Sequence, residues 1–168
     1  MNKRIIPYFI LSASPTKSVH DNNYDEIIPN LYIGNYESIK DHKEFHTIIN
    51  CTKHIPFPIS LNIQKLRIAI NDDGTENENI LKQCPTAIEL IHNSLQQNKK
   101  VLVHCHAGMQ RSCAIVAMYL MKYYKINNQR MTPTDAIVYI RSKRPIAFQP
   151  IPTFENAMHT YYNSLDII

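Results

Sequence analysis

The stretch VLVHCHAGMQRS (101–112) constrains this chain more than any other. Its first residues, Val101-Leu-Val103, are continuously apolar. That pattern suits a strand covered on both faces, and such strands belong to parallel sheets flanked by helices. After it, SCAIVAMYLMKYY (112–124) is apolar nearly all round, as in a helix enclosed by the rest of the protein. A buried strand must therefore pass into a buried helix through one short loop. That loop carries a cysteine and, six residues on, an arginine, with a glycine between them.

The rest of the chain agrees with a layered α/β fold, in which a central, mostly parallel β-sheet is flanked by helices. EIIPNLYIGN (26–35) reads as a short strand turning at Gly34, HTIINCT (46–52) as a compact strand, and LNIQKLRIAI (61–70) alternates like a half-buried one. The polar run NDDGTENEN (71–79) reads as a loop centred on Gly74. A helix follows to about Asn98, with Ile80, Leu81, Ile88, Leu90, Ile91 and Leu95 on its buried side and Pro85 marking a break or a new first turn. Thr132-Pro-Thr-Asp135 has the chemistry of a helix start: Thr132 caps, Pro133 takes the first position and Asp135 falls three after the cap. A last helix runs from about Thr153. With only 3 glycines, Gly34, Gly74 and Gly108, each is expected where the backbone needs unusual dihedrals or close approach.

At 168 residues, the chain is long enough for one domain with a substantial core, placed at 24–168. Residues 1–23 lack periodicity and read as an N-terminal extension; the apolar run in MNKRIIPYFIL is interrupted by Pro7 and too short to span a bilayer. No membrane role is expected. A net charge of +4 favours anionic partners but is too weak to indicate nucleic acid by itself. The densest basic cluster, Arg141-Ser-Lys-Arg144, reads as a solvated helix end. The 4 cysteines, Cys51, Cys84, Cys105 and Cys113, have no framework spacing, which fits a reducing, cytoplasmic location.

The loop has a specific chemistry if the strand ends at Cys105 and the helix begins near Arg111. His106, Ala107, Gly108, Met109 and Gln110 then curl over a helix N-terminus with their N–H groups turned inward, forming an anion cradle. Gly108 permits the turn, and the planar fork of Arg111 reaches back to grip two phosphoryl oxygens. Cys105 sits at the bottom, where amides and helix dipole favour a thiolate, and Ser112 can donate to it. His104 is placed to fix the loop rather than to touch substrate. A metal site from His104, Cys105 and His106 is disfavoured, because adjacent strand residues point to alternate faces and no second ligand cluster exists. A packing role alone accounts for Cys113 and Cys84 but not for Gly108, Arg111 and Ser112 in register with Cys105.

HCHAGMQRS (104–112) resembles the signature HCxxGxxR, followed by Ser or Thr, of the cysteine-dependent protein tyrosine phosphatases. IIPNLYIGN resembles the opening of dual-specificity phosphatase domains, IINCT their second strand, and MTPTDAIVYIRSKRPIAF the helix after the catalytic one. The resemblance spans about residues 25–165. Rhodanese-like and low-molecular-weight phosphatases share the Cys-x5-Arg loop but lack these flanks. What the resemblance implies is a phosphatase in which Cys105 attacks phosphorus, Arg111 and the loop amides stabilise the transferring group, and water hydrolyses the cysteinyl-phosphate. Matching the family pattern makes Asp72 the general acid, with Asp73 as the alternative one residue away. Gln149 stands near where the family has a loop-supporting Asn, in a QPIP segment that departs from the pattern. Cys51 lies near the position of a second, redox-active cysteine in some relatives, and is read here as a core residue.

No phosphotyrosine-recognition segment like that of the classical enzymes is present, so the resemblance implies a shallow cleft admitting phosphotyrosine, phosphoserine and phosphothreonine in a phosphorylated protein substrate. An RNA 5′-triphosphatase or diphosphatase is the alternative on the same fold, the one reading in which nucleic acid enters. A phosphoinositide substrate is disfavoured by Ala107, Met109 and Gln110, where lipid-specific relatives place lysines. A non-catalytic pseudophosphatase is disfavoured because both Cys105 and Arg111 are present. The resemblance implies no metal and no organic cofactor, and allows a homodimer through the N-terminal arm.

Overall fold

The structure, a computed structural model, describes residues 22–165. The proposed dimerisation arm, apart from its last two residues, lies outside them. Five strands form the central sheet: β1 (Tyr24–Ile28), β2 (Leu31–Gly34), β3 (Thr47–Asn50), β4 (Gln64–Arg67) and β5 (Val101–His104). Their order is β1-β2-β5-β3-β4; β1 runs antiparallel to β2 and all other pairs are parallel. The mostly parallel sheet is as expected. The segment 26–35, however, is a bulged hairpin rather than one strand, turning at Asn30 with φ 70°. Asn tolerates that left-handed conformation better than most residues. The strand expected over 61–70 shrinks to Gln64–Arg67 at the sheet edge, where only β3 pairs with it.

Three helices pack on the sheet, α1 (Asn77–Gln96), α2 (Arg111–Tyr123) and α3 (Pro133–Lys143), and α4 (Glu155–Ser164) packs against these helices. Val101 and Val103 join the main core with them, and Leu102 points the other way into a smaller cluster with Phe45 and Ile48. The all-apolar reading of α2 holds: every residue from Ser112 to Met121 is buried. Burying one such Leu, Ile or Met contributes about 1.5–3 kcal/mol relative to exposure, so this helix anchors the site rather than merely adjoining it. Between β2 and β3 the chain forms a 3-10 stretch, Tyr36–Glu44, and after α2 a small antiparallel hairpin, β6 (Lys125–Ile126) with β7 (Gln129–Arg130). Neither carried a sequence signal above its polar surroundings.

Three further local expectations have clear outcomes. The capping box at Thr132 and Asp135 is present, each side chain bonding the other's backbone N–H. Pro85 does not break α1, which runs through it. Proline leaves the carbonyl four residues back without its helical donor. Here that carbonyl, on Leu81, accepts the Cys84 thiol at 3.5 Å. Gly74 needs no glycine: a Cβ there would meet nothing closer than the Thr153 carbonyl at 3.7 Å. The loop is also shorter than 71–79, because a 3-10 turn at Gly74–Glu76 leads into α1 at Asn77.

Candidate active site

The carboxyl ends of β2, β5 and β3 lie level, since Gly34 and Asn50 both pair with His104. Ligands of open α/β sheets bind beyond such strand ends. The loop Cys105–Gln110 leaves β5 at that edge and enters α2 at Arg111. Gly108 has φ +65°, and a Cβ there would lie 2.6 Å from both the Gly34 carbonyl oxygen and Arg144 Nη2. Two requirements, positive φ and close approach, thus fall on one residue.

The loop's shape follows from the partners of its backbone groups. The Cys105 carbonyl is 3.3 Å from His104 Nδ1, and that of His106 accepts the Tyr36 N–H at 2.9 Å. Arg144 donates to the carbonyls of Ala107 (3.5 Å) and Gly108 (2.8 Å). The Met109 carbonyl accepts the Phe148 N–H at 2.7 Å, and the Gln110 carbonyl accepts that of Ala114 at 2.8 Å. Every carbonyl from 105 to 110 is therefore held from outside the loop. Among the described residues none accepts a bond from the N–H groups of residues 106 to 110. A loop whose acceptors are all engaged on its outer side and whose donors are all open has the backbone arrangement that can hold an anion.

Cys105 lies at the base of this loop, 2% exposed, with Sγ 3.2 Å from Ser112 Oγ. Arg111 reaches from the first turn of α2, where Nη1 donates to the Ile70 carbonyl at 3.1 Å; its Nε is buried without a partner and remains open for an oxygen ligand. The mouth beside the loop encloses about 150 Å³ and is lined by Thr52, Lys53, His54, Ile55, Asn71, His106 and Arg111. The lining holds two basic side chains, two histidines and no carboxylate, which suits an anion. His106 also stacks on Tyr36, with ring centroids 5.0 Å apart, and so forms part of the rim.

The other cysteines are shut in. Burial pushes the Cys51 and Cys113 thiols far up and that of Cys84 to about 12, so all three stay neutral. Cys51 donates its N–H to the His104 carbonyl at 2.8 Å and so continues β3 directly beside Cys105. His104 is fully buried, and that burial lowers its pKa to about 4. The cationic neighbours Arg67 and Arg111 push the same way. A group with a depressed basic pKa binds fewer protons folded than unfolded, so stability present above pH 6.5 is lost as pH falls toward 4. That window corresponds to roughly 3 kcal/mol. We expect the urea midpoint to drop between pH 7 and pH 5, and His104→Asn to flatten that drop; an unchanged slope in the variant would remove His104 as its source.

Asp72 and Asp73 have different fates. Asp73 caps the 3-10 turn by accepting the Thr75 N–H at 2.9 Å. Asp72 is exposed and makes no bond with any described residue, next to Asn71 at the mouth. Gln149 contributes its carbonyl, not its side chain. Gln110 donates to the carbonyls of Gln149 (3.0 Å) and Ile151 (2.8 Å) and accepts the Thr153 N–H at 2.9 Å. A residue of the cradle thereby pins the QPIP segment against it.

The basic cluster 141–144 corrects the sequence reading in part: Ser142 and Lys143 are exposed, but the two arginines are bonded into the structure. Arg141 bonds the Ala147 and Phe148 carbonyls, and Arg144, 1% exposed, bonds Gly108, Ala107, the Asn22 carbonyl and the Asp25 carboxylate at 2.7 Å. Arg144 is the supporting residue that sequence reasoning missed. No local pattern marks it, because its partners Gly108 and Asp25 lie 36 and 119 residues away.

Comparison with known proteins identifies the family. Residues 31–164 match the family described as Dual specificity phosphatase, catalytic domain. A protein of Invertebrate iridescent virus 6 assigned to the tyrosine phosphatases is 34% identical over 125 residues, covering 73% of this chain and 81% of its own length. Dual specificity protein phosphatase 15 of Mus musculus is 30% identical over 144 residues, 83% of this chain; the chain spans 58% of that protein's length. The crystal structure of human DUSP28 superposes with a TM-score of 0.73 over 91% of this chain and 99% of that one; at 22% identity it bears on the fold alone. The chain belongs to the dual-specificity phosphatases of the protein tyrosine phosphatase superfamily. It is a phosphatase, an enzyme that hydrolyses phosphoric monoesters.

Proposed function

We propose that the chain hydrolyses phosphotyrosine and phosphoserine or phosphothreonine in proteins through a cysteinyl-phosphate on Cys105. The observation that carries this reading is the cradle of outward-held carbonyls and open N–H groups around a nearly buried Cys105. The phosphoryl oxygens lie against the loop N–H groups and the Arg111 fork. Cys105 Sγ attacks phosphorus, the S–P bond forms, and the P–O bond to the substrate breaks. Asp72 passes its proton to the departing oxygen. Water then attacks phosphorus, Asp72 takes its proton, and inorganic phosphate leaves. Ser112, within 3.2 Å, donates to the sulfur as the S–P bond breaks and makes it a better leaving group.

Support for Asp72 over Asp73 comes from their partners, since a carboxylate that caps a turn is committed to it. We expect Asp72→Ala to lower kcat about 10²–10⁴-fold on esters with poor leaving groups and little on those with good ones. Asp73→Ala should cost stability without that selectivity. The reverse pattern, read from the leaving-group dependence of kcat, would exchange the two roles.

A thiol that must stay reduced supports a reducing, cytoplasmic setting. Among the described residues no helix is long and apolar enough to cross a membrane. The substrate class is tested by phosphate release from a phosphotyrosine peptide, a phosphothreonine peptide and a 5′-triphosphate RNA, with Cys105→Ser as blank. Release from both peptides is the expected result. Release from the RNA alone would keep the loop chemistry and overturn the substrate class, and binding without release would mean a phosphoprotein-binding module.

A further inference from the structure

The segment carrying Asp72 is tied down at almost every point except Asp72 itself. At its start, Arg111 holds the Ile70 carbonyl at 3.1 Å. At its end, the half-buried Glu76 carboxylate folds back and accepts the Asn71 N–H at 3.3 Å, closing residues 71–76 into a ring. Its second oxygen accepts Asn79 Nδ2 at 2.8 Å, and Asn79 in turn reaches the Ala69 carbonyl at 3.4 Å. Asn77 bonds the Gly74 carbonyl and accepts the Ala157 N–H at 3.0 Å, fastening the turn to α4.

A second tie crosses the mouth. Lys53 Nζ lies 3.3 Å from the Glu76 carboxylate. Lys53 stands on a loop that is itself built in. Buried Asn50 bonds the Thr52 N–H, the Thr52 hydroxyl and the Ile55 carbonyl at 2.7–3.0 Å. Arg67 donates to the Thr52 and Ile55 carbonyls, both at 2.8 Å, and its guanidinium lies 5.0 Å from the centre of the Phe57 ring. The Lys53–Glu76 pair thus spans two walls of the same mouth, both of which have residues lining it.

We propose that Glu76, held by Lys53, is the positioning residue of the acid loop: the strut that fixes the backbone leading into Asp72 before substrate arrives. The proposal rests on the reading of Asp72 as general acid. Glu76 is not a proton donor in its own right. The Asn79 amide, the Asn71 N–H and Lys53 hold its carboxyl below the usual range, in that order of weight, and its oxygens are occupied by N–H donors. Its effect passes through the backbone of Asn71, the residue directly before Asp72. Because an acid must lie within hydrogen-bond reach of the departing oxygen, a shift of about 1 Å in that backbone is enough to cost on the order of 10²-fold.

The test compares kcat for a phosphotyrosine peptide, whose leaving group needs a proton, with that for an aryl phosphate of a strongly acidic phenol, which does not. Glu76→Ala should lower the first about tenfold or more and the second less than about twofold. Lys53→Met should act in the same direction, by about threefold. In an Asp72→Ala background Glu76→Ala should add nothing on either substrate, since the group it positions is gone. Equal losses on both substrates, or a further loss in the Asp72→Ala background, would overturn the strut and leave Asp72 as the acid. If Asp72→Ala itself shows the wild-type leaving-group dependence, the acid assignment falls and the strut with it. Should Glu76→Ala not fold, Glu76→Gln, which keeps the acceptor for Asn71 and loses the Lys53 ion pair, should reproduce the selectivity at reduced size; its absence there would also overturn the proposal.

Discussion

Cys105→Ser leaves the protein folded and phosphate esters bound, and lowers turnover at least ~10³-fold. Serine fits the space at the base of the loop, and the groups that hold the anion are not on this side chain: they are the N–H groups of 106–110 and the Arg111 fork. What disappears is the sulfur nucleophile, because a hydroxyl beside Ser112 has no base among its bonded partners to activate it. Steady-state phosphate release together with equilibrium binding of a phosphopeptide separates the two effects. Turnover within tenfold of the natural protein would show that another group attacks phosphorus.

The second large effect concerns Arg144. Arg144→Met takes the charged partner from the Asp25 carboxylate, 14% exposed, leaving it the Asn22 side-chain amide at 2.9 Å, and removes the donors that hold the Gly108 and Ala107 carbonyls away from the cradle. Breaking such a buried pair costs about 3–5 kcal/mol. That is a large share of the roughly 5–15 kcal/mol that stabilises an ordinary domain. Urea unfolding should show the loss. Adding Asp25→Leu should restore part of it, since the uncompensated charge goes too. Arg144→Lys distinguishes fold from loop: it keeps the charge for Asp25, but a single ammonium cannot span Gly108, Asn22 and Asp25 together. We expect that variant to retain most of the stability and to lose about tenfold or more in kcat through a loosened cradle. Full activity in a stable Arg144→Lys protein would mean that the Gly108 carbonyl needs no such brace.

Much of this arrangement was legible from short-range pattern. The strand–loop–helix at 101–123, the buried character of α2, the capping box at Thr132 and the placing of Gly108 all depend on neighbours within a few residues. What escaped depends on contacts far along the chain. Arg144 owes its burial to Asp25, 119 residues away, and to Gly108, 36 away. Tyr36 braces the loop through a backbone N–H, which no side-chain pattern can signal. Gln110 was read as one residue of the cradle, and its grip on residues 149–153 is visible only once that segment is folded over it. The division between Asp72 and Asp73 was open for a different reason. A capping aspartate and a free one look identical until the turn after them is known, and Gly74–Glu76 lay inside a run read as unstructured loop.

The central claim is a covalent intermediate on Cys105, and trapping it is the most direct test. Asp72→Ala, which slows the water attack, is mixed with an aryl phosphate of a strongly acidic phenol, quenched in acid within the first turnovers, and digested for mass spectrometry. The account predicts one phosphoryl group on the peptide containing Cys105, formed in a burst of about one equivalent per site. Phosphate released with no phosphorylated peptide, or a phosphoryl group found on His104, His106 or Ser112 instead, would contradict it.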